Sequence, residues 1–290
     1  MDERDWLILK VLYEKKNITK TAQSLYISQP SLTKRIQQIE NVFQVAIINR
    51  GTKGIQFTPQ GEYLAKSAED MLTNLQQMKE MVLNMEQDVR GTLRLGVSNY
   101  IARYKLPRLL KLFKDQFPNV NYKVTTGWSH DIVNMVYHRD VHIGIIRGDY
   151  QWADSKWLLF EENISVASKE PFTLDDLPDM PRINYETDSL LKTIIDQWWN
   201  RTFSQSPLIG MEVDKGITCK EMVINGLGYG ILPSALIEEH PDLHSITLKD
   251  ELGDPLIRKT WMFYHEDTTE INMVREFVQF VEKVNFNHVD

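Results

Sequence analysis

The chain has 290 residues, 33 of them basic and 40 acidic, for a formal net charge of −7. That length fits about two domains, and a hydrophobic content of 42% supplies real cores. No run of about 18 apolar residues and no basic start followed by an apolar stretch occurs, and there is a single cysteine; the reading is a cytoplasmic protein with no membrane span, signal peptide, disulfide or Cys-based zinc site.

The charge is unevenly placed. Residues 10–58 hold eight basic groups against Glu14 and Glu40, a local +6, whereas residues 91–290 hold 21 basic and 29 acidic groups, or −8. A basic head is the footprint of phosphate binding, although a charge run is also the mark of a solvated face.

Within the head, Trp6, Leu9, Leu12 and Tyr13 recur at helical spacing and predict a helix over 3–15. Thr19 is read as the N-cap of a short helix through Leu25 that buries Ala22 and Leu25. Ser28 suits the N-cap of a third helix and Pro30 its first turn, where the missing N–H costs nothing. That helix should run to about Phe43 with Leu32, Ile36, Ile39 and Phe43 inward. Gln29, Ser31, Thr33, Lys34, Gln37 and Gln38 then form a polar, acid-poor face fit for base edges and phosphates. Arg35 follows Lys34 and adds a further cation. Val45–Asn49 and Gly54–Thr58 read as two strands of a hairpin whose tip, Arg50-Gly-Thr-Lys53, would touch the DNA backbone as a wing.

The run Asn17-Ile-Thr-Lys-Thr-Ala-Gln-Ser-Leu-Tyr-Ile-Ser-Gln-Pro-Ser-Leu-Thr-Lys-Arg-Ile-Gln-Gln-Ile-Glu40, with Arg50 and Phe57-Thr-Pro-Gln-Gly61, resembles the winged helix-turn-helix of LysR-type transcriptional regulators. Where that family usually carries Leu-Phe ahead of the wing arginine, this chain has Ile47-Ile48, which should still form the strand. The resemblance implies a DNA-reading head (residues 1–58), a linker helix (59–90) and an effector-binding body (91–290). It assigns double-stranded DNA with paired half-sites to the head, with Thr19, Ser28, Gln29, Pro30, Ser31, Thr33, Lys34, Arg35, Arg50 and Lys53 as its contacts.

From Pro59 to about Val89, Leu64, Ala68, Met71, Leu75, Met78, Val82, Met85 and Val89 step by alternating fours and threes. Such a heptad seam on one helix points to a partner helix, with packing on its own domain as the other reading. The resemblance agrees with a homodimer formed here, pairing further into a homotetramer, and leaves room for contact with RNA polymerase.

After Gly91 the texture becomes βαβ. Strands are expected at 92–97, 120–126, 141–146, 164–167, 182–185, 208–213, 229–232 and 258–264, with helices at 101–116, 130–138, 188–200, 217–225 and 271–284. This is the signature of a mostly parallel α/β sheet whose ligands bind beyond the strand C-termini. The family implies a two-lobed, periplasmic-binding-protein-like body, one lobe about 91–162 and 262–290 and the other about 163–261.

The loops at those strand ends carry Ser98-Asn-Tyr-Ile101, Gly127-Trp-Ser129, Arg147-Gly148 and Glu186-Thr-Asp-Ser189. Ser98 and Ser129 suit either helix capping or ligand contact. Arg147 offers a donor fork that matches a carboxylate or phosphate, or else pairs with Asp149 or Asp140. Ile145-Ile-Arg147-Gly148, Thr218-Cys-Lys-Glu-Met222, Gly226-Leu-Gly228, Ile231-Leu-Pro233 and Pro255-Leu-Ile-Arg258 resemble the branch of the family containing catabolite control protein E, a citrate-responsive branch. That resemblance implies a small anionic effector, a di- or tricarboxylate, held by Arg147 and Arg258. Ser98, Asn99, Tyr100, Ile101, Ser129, Thr187 and Thr218 complete the expected site.

The seven histidines show no metal spacing, so no metal or cofactor is expected. Cys219 reads as a packing residue, Trp198-Trp199 as core, and no nucleophile triad is present. The competing reading is an α/β solute-binding protein or enzyme, not binding DNA, with an incidental helical head.

Overall fold

The computed structural model describes all residues except 52–53, 85–88, 239, 285 and 287–290, and the side chains of 50, 51, 54, 77, 81, 83 and 84 also lie outside the description. The chain divides into two compact units, Met1–Glu86 and Gln87–Asp290. Among the described residues no helix is long and apolar enough to cross a membrane.

The first unit begins with α1 (Glu3–Lys15), α2 (Ile18–Ser24) and α3 (Gln29–Phe43). It continues through the hairpin β1 (Ile48–Gly51) and β2 (Gly54–Phe57) into α4 (Pro59–Asn84). Asp2 and Asp5 form a reciprocal capping box on α1. Asn17, not Thr19, caps α2: its Oδ1 accepts the Lys20 N–H at 2.9 Å, which leaves the Thr19 hydroxyl outside the cap. Ser28 caps α3 as expected, accepting the Ser31 N–H at 3.3 Å, with Pro30 in the first turn. Ile8, Leu9, Leu12, Ala22, Leu32, Ile36 and Ile39 close a core to which α4 contributes Leu64 and Ala68.

Two features of this unit explain its sequence motif. Glu40 Oε1 accepts the backbone N–H of Ile47 at 2.8 Å, tying the end of α3 to the hairpin. Thr58 Oγ1 donates to Ala46 O at 2.7 Å and accepts the Gly61 N–H at 2.9 Å, starting α4. A Cβ on Gly61 would sit 2.1 Å from Ile47 O, so only glycine allows α4 to approach the hairpin this closely.

The second unit opens with β3 (Gly91–Ser98), α5 (Asn99–Tyr104), α6 (Leu106–Gln116), β4 (Val120–Gly127), α7 (Ser129–Tyr137) and β5 (Ile143–Arg147). It goes on through β6 (Ser155–Ser168), β7 (Arg182–Tyr185), α8 (Ser189–Thr202), β8 (Ile209–Val213), α9 (Gly216–Ile224) and β9 (Gly230–Pro233). β10 (His244–Thr247), β11 (Ile257–Tyr264) and α10 (Asn272–Lys283) complete it.

β4, β3 and β5 are parallel, as is the pair β7–β8. The expectation of a mostly parallel sheet fails elsewhere, because β11 and the 14-residue β6 run antiparallel to their neighbours and link the two lobes. The first half of β6, up to Asn163, pairs with β11, and from Ile164 onward it pairs with β9 and β10. β11 pairs with β5 and β6 from Ile257, so the chain has rejoined the first-lobe sheet by that residue. The first-lobe core gathers Leu93, Leu95, Leu109, Phe113 and Phe277, and that of the second gathers Ile164, Val166, Leu191, Trp198, Trp199 and Tyr229. Trp198 and Trp199 stand where the sequence places them, in a core.

Candidate functional site

On the head, Leu32, Ile36 and Ile39 face inward, so Pro30, Lys34 and Gln37 lie on the opposite face of α3 and are exposed. Gln29 and Ser31 are exposed at the helix start, and Thr33 is half-buried on the flank. Thr19 is exposed on α2 and its hydroxyl donates to Gln29 Oε1 at 3.4 Å, a long contact that joins the two helices of the motif. Two expected contacts are engaged locally. The Ser28 hydroxyl serves the cap and donates to Ser31 Oγ at 2.9 Å. The Arg35 guanidinium donates to Asp2 and Asp5, which hold it as a cation and raise its pKa. Residues 10–58 leave out these two acids, so the +6 overstates the charge that the folded head offers. Lys53 lies outside the described residues, as does the side chain of Arg50.

The seam on α4 is divided among different partners. Leu64 and Ala68 are buried in the head's own core against α1, so neither is available to a second helix. Val89 lies beyond α4, in the second unit, and packs on that unit's own first-lobe core. Met71, Met78 and Val82 remain exposed, with Leu75 half-buried between them. Met85 lies outside the described residues.

In the body a cleft of about 460 Å³ is lined from both lobes. The register of the sheet builds its floor. Arg147 on β5 is directly opposite Thr260 on β11, and Arg258, two residues back on the same face, is opposite Glu162 on β6. All four side chains are buried. Arg147 pairs with Glu162, not with Asp149 or Asp140, and its guanidinium stacks over the Tyr100 ring at 4.2 Å. Arg258 pairs with Asp188, whose other oxygen accepts the Leu191 N–H at 3.0 Å and caps α8. The Arg258–Asp188 pair thus ties the first-lobe sheet to a second-lobe helix. The Tyr100 hydroxyl makes a second tie, donating to Ala235 O at 3.3 Å.

Burial, and then the neighbouring Arg147 charge, bring Arg258 down to about 10, so it remains a cation at neutral pH. Burial and then the Glu162 charge push the Tyr100 hydroxyl above the ordinary tyrosine range. Among the described residues, the buried polar atoms here without a hydrogen-bond partner include Ser98 Oγ, Arg147 Nε, Tyr185 Oη, Thr260 Oγ1 and the acceptor Glu162 Oε2. Ser98, Arg147 and Tyr185 line the cleft, and unsatisfied donors in a concave wall are what a ligand's oxygens complete.

Ser98, Asn99, Tyr100, Ser129, Arg147, Thr187 and Arg258 all line the cleft. Neither serine caps a helix as expected. Ser98 makes no cap hydrogen bond, and Ser129 Oγ instead accepts the backbone N–H of Arg147 at 3.0 Å. Ile101 does not reach the cleft: its side chain lies fully buried in the first-lobe core. Thr218 is half-buried on α9 beyond the lining, which that helix supplies through Gly216 and Ile217. The carboxylates Glu162 and Asp188 are the components that sequence reasoning missed as arginine partners. Asp188 carried a readable signal, an N-cap residue just ahead of a helix, whereas Glu162 falls in the half of β6 that was not foreseen.

A helix-turn-helix with a polar recognition face and a two-lobed body with a buried arginine cleft define a ligand-responsive DNA-binding regulator. Residues 4–62 match the bacterial regulatory helix-turn-helix protein, lysR family, and residues 86–285 match the LysR substrate binding domain. The chain belongs to the LysR family of DNA-binding transcriptional regulators, with an effector-binding domain after its head. It is 43% identical to the HTH-type transcriptional regulator YraN of Bacillus subtilis over 97% of this chain and 98% of the relative. To YkuM of the same organism it is 34% identical over 95% and 94%. Its fold is similar to that of full-length CbnR complexed with its target DNA (TM-score 0.66, 18% identity, 98% of this chain and 99% of that one). It is also similar to the Vibrio cholerae virulence activator AphB (TM-score 0.62, 16% identity, 98% and 100%). The alternative of a solute-binding protein or enzyme with an incidental head falls with the match over residues 4–62.

Proposed function

We propose that the regulator responds to a small carboxylate, of the di- or tricarboxylate class that includes citrate, seated in the cleft on Arg147 and Arg258. The observation that carries this reading is the placing of two buried guanidiniums on one face of one sheet, beside donors with no partner of their own. Both arginines already hold a carboxylate, so the effector acts by exchange. Its oxygens compete with Glu162 for Arg147 and with Asp188 for Arg258. Taking Arg258 from Asp188 loosens one of the side-chain ties between the lobes, which couples binding to lobe movement.

On the DNA side, Gln29, Pro30, Ser31, Thr33 and Lys34 enter the major groove, with Thr19 at its edge and the wing at the backbone. The row of exposed Met71, Met78 and Val82, with the half-buried Leu75 between them, forms the dimer seam, so two heads read paired half-sites. Pairing of dimers and contact with RNA polymerase belong to the same reading.

The test is a melting-temperature screen of the full chain against di- and tricarboxylates, followed by footprinting on its own upstream DNA with the compound that binds. The expected result is a thermal shift lost in Arg147→Ala and an altered footprint with the wild type. Absence of any shift across the panel, or a footprint identical with and without a bound compound, would overturn the proposal.

A further inference from the structure

We propose that another small-molecule pocket, lined mainly by the second lobe and anchored by Arg182, takes a zwitterionic ligand such as an amino acid. A cavity of about 880 Å³ opens between β7, β8 and α8, within the range of small-molecule sites. Arg182, the first residue of β7, lines it and is only 8% exposed. The pairing of β7 with β8 shifts register between Arg182 and Ile183, an irregularity of the kind that re-aims a side chain at functional sites.

The fold treats this arginine unlike the other buried ones. Arg147 and Arg258 each hold a buried carboxylate. Among the described residues Arg182 has no ion-pair partner, and its Nε has no hydrogen bond. Its guanidinium lies 5.8 Å from the Trp199 ring centroid, and the hydroxyl of Tyr229, one of the groups acting on its charge, is likewise buried without a partner. Burial lowers the Arg182 pKa, and the Asp196 charge opposes that only in part, the direction expected for a buried cation with no direct partner. An unpaired buried guanidinium is costly, and a carboxylate is the group that matches its fork.

The rest of the lining argues for a second charge on the occupant. Glu186, Asp196, Glu212 and Asp214 stand at the cavity with Lys192 as the lone lysine, so acids outnumber bases around Arg182. A plain carboxylate would reach Arg182 past that field at a cost. A molecule with an ammonium beside its carboxylate satisfies both, anion inward on Arg182 and cation outward on the acids. The cavity shares Trp128, Tyr185, Glu186, Thr187 and Asp214 with the arginine cleft, so an occupant would press on residues that also line the cleft.

The experiment measures the melting temperature of the full chain with each of the twenty L-amino acids in turn. For every amino acid that shifts it, the matching deaminated acid and decarboxylated amine are tested, and all are repeated on Arg182→Met and Arg182→Lys. At least one amino acid should raise the wild-type melting temperature by about 2 °C or more, with both single-charge analogues much weaker. Arg182→Met should melt at or above the unliganded wild type, because it removes a buried charge with no ion-pair partner, and both variants should lose the shift. The proposal is overturned by a wild type indifferent to all twenty, by a shift that survives in Arg182→Met, or by an equal response to the deaminated acid. It is equally overturned if Arg182→Met melts below the wild type, the mark of an arginine kept for structure.

Discussion

Arg147 and Glu162 form a buried ion pair across two strand spacings, the first on β5 and the second on β6, with β11 between them. At about 4.8 Å per strand the backbones are about 10 Å apart, a gap the two long side chains bridge over the small Thr260. Thr260 stands directly opposite Arg147, and its own hydroxyl has no partner. A larger residue at 260 would separate the pair.

Removing the carboxylate in Glu162→Ala strands Arg147 as an unpaired buried charge. Breaking such a pair from one side costs about 3–5 kcal/mol. Urea unfolding should show this loss, and a saturating di- or tricarboxylate should restore part of it by supplying the missing oxygens. A loss that no carboxylate recovers would separate the Glu162 position from the effector site.

Asp188 serves two partners, so two substitutions divide its roles. Asparagine retains the cap to Leu191 and gives up the charge facing Arg258, whereas alanine gives up both. Asp188→Ala should therefore be less stable than Asp188→Asn by about 1 kcal/mol, the worth of an N-cap. Equal stabilities in denaturant titrations would mean that the cap contributes nothing here.

The head was readable almost residue by residue because its chemistry is local. Helical periodicity locates Leu32, Ile36 and Ile39, and Ser28 and Pro30 mark a helix start without reference to the rest of the fold. The α4 seam misled in part, because a 4–3 repeat records burial and not the partner. Leu64 and Ala68 satisfy it against α1, while Met71, Met78 and Val82 stay exposed. In the body, parallel strands such as Val120–Gly127 follow from their β-rich runs. The start of β6 does not, because Lys156, Trp157 and Leu158 are all exposed and show no alternation. That one gap hid Glu162, and with it the fact that each cleft arginine brings its own carboxylate. Such pairings are set by register between strands far apart in sequence, which no local pattern encodes.

Gly61 tests the packing of the helix-turn-helix on its linker. Alanine there would place a Cβ 2.1 Å from a backbone oxygen that cannot rotate away. Gly61→Ala should destabilise the head by at least about 1–3 kcal/mol, the usual range for overpacking. Limited proteolysis should show faster cleavage within residues 1–84, with the body protected as before.

The thiol of Cys219 is buried on α9 and donates to Ile183 O at 3.4 Å. Burial pushes it up to about 12, so at pH 8 only about one molecule in ten thousand carries the thiolate. Alkylation by iodoacetamide should be negligible in the folded protein and rapid in denaturant, and Cys219→Ser should leave the effector response intact under oxidant. Prompt labelling of the native chain would contradict the burial of this thiol.

Lys34 and Arg35 are adjacent cations with different expected roles on DNA. Lys34 is exposed on the face opposite the core, free to meet a phosphate, whereas Arg35 is held by Asp2 and Asp5 at the start of α1. Lys34→Ala should weaken binding to all sequences alike. The salt dependence of log K should fall by about one unit of slope, because one fewer counterion is released. Arg35→Ala should change that slope little and lower the head's melting temperature instead, since it leaves the buried Asp5 and its capping partner Asp2 without their cation. Binding isotherms at three salt concentrations, set beside melting curves of both variants, decide the matter. The assignment fails if Arg35→Ala changes the salt slope as much as Lys34→Ala does.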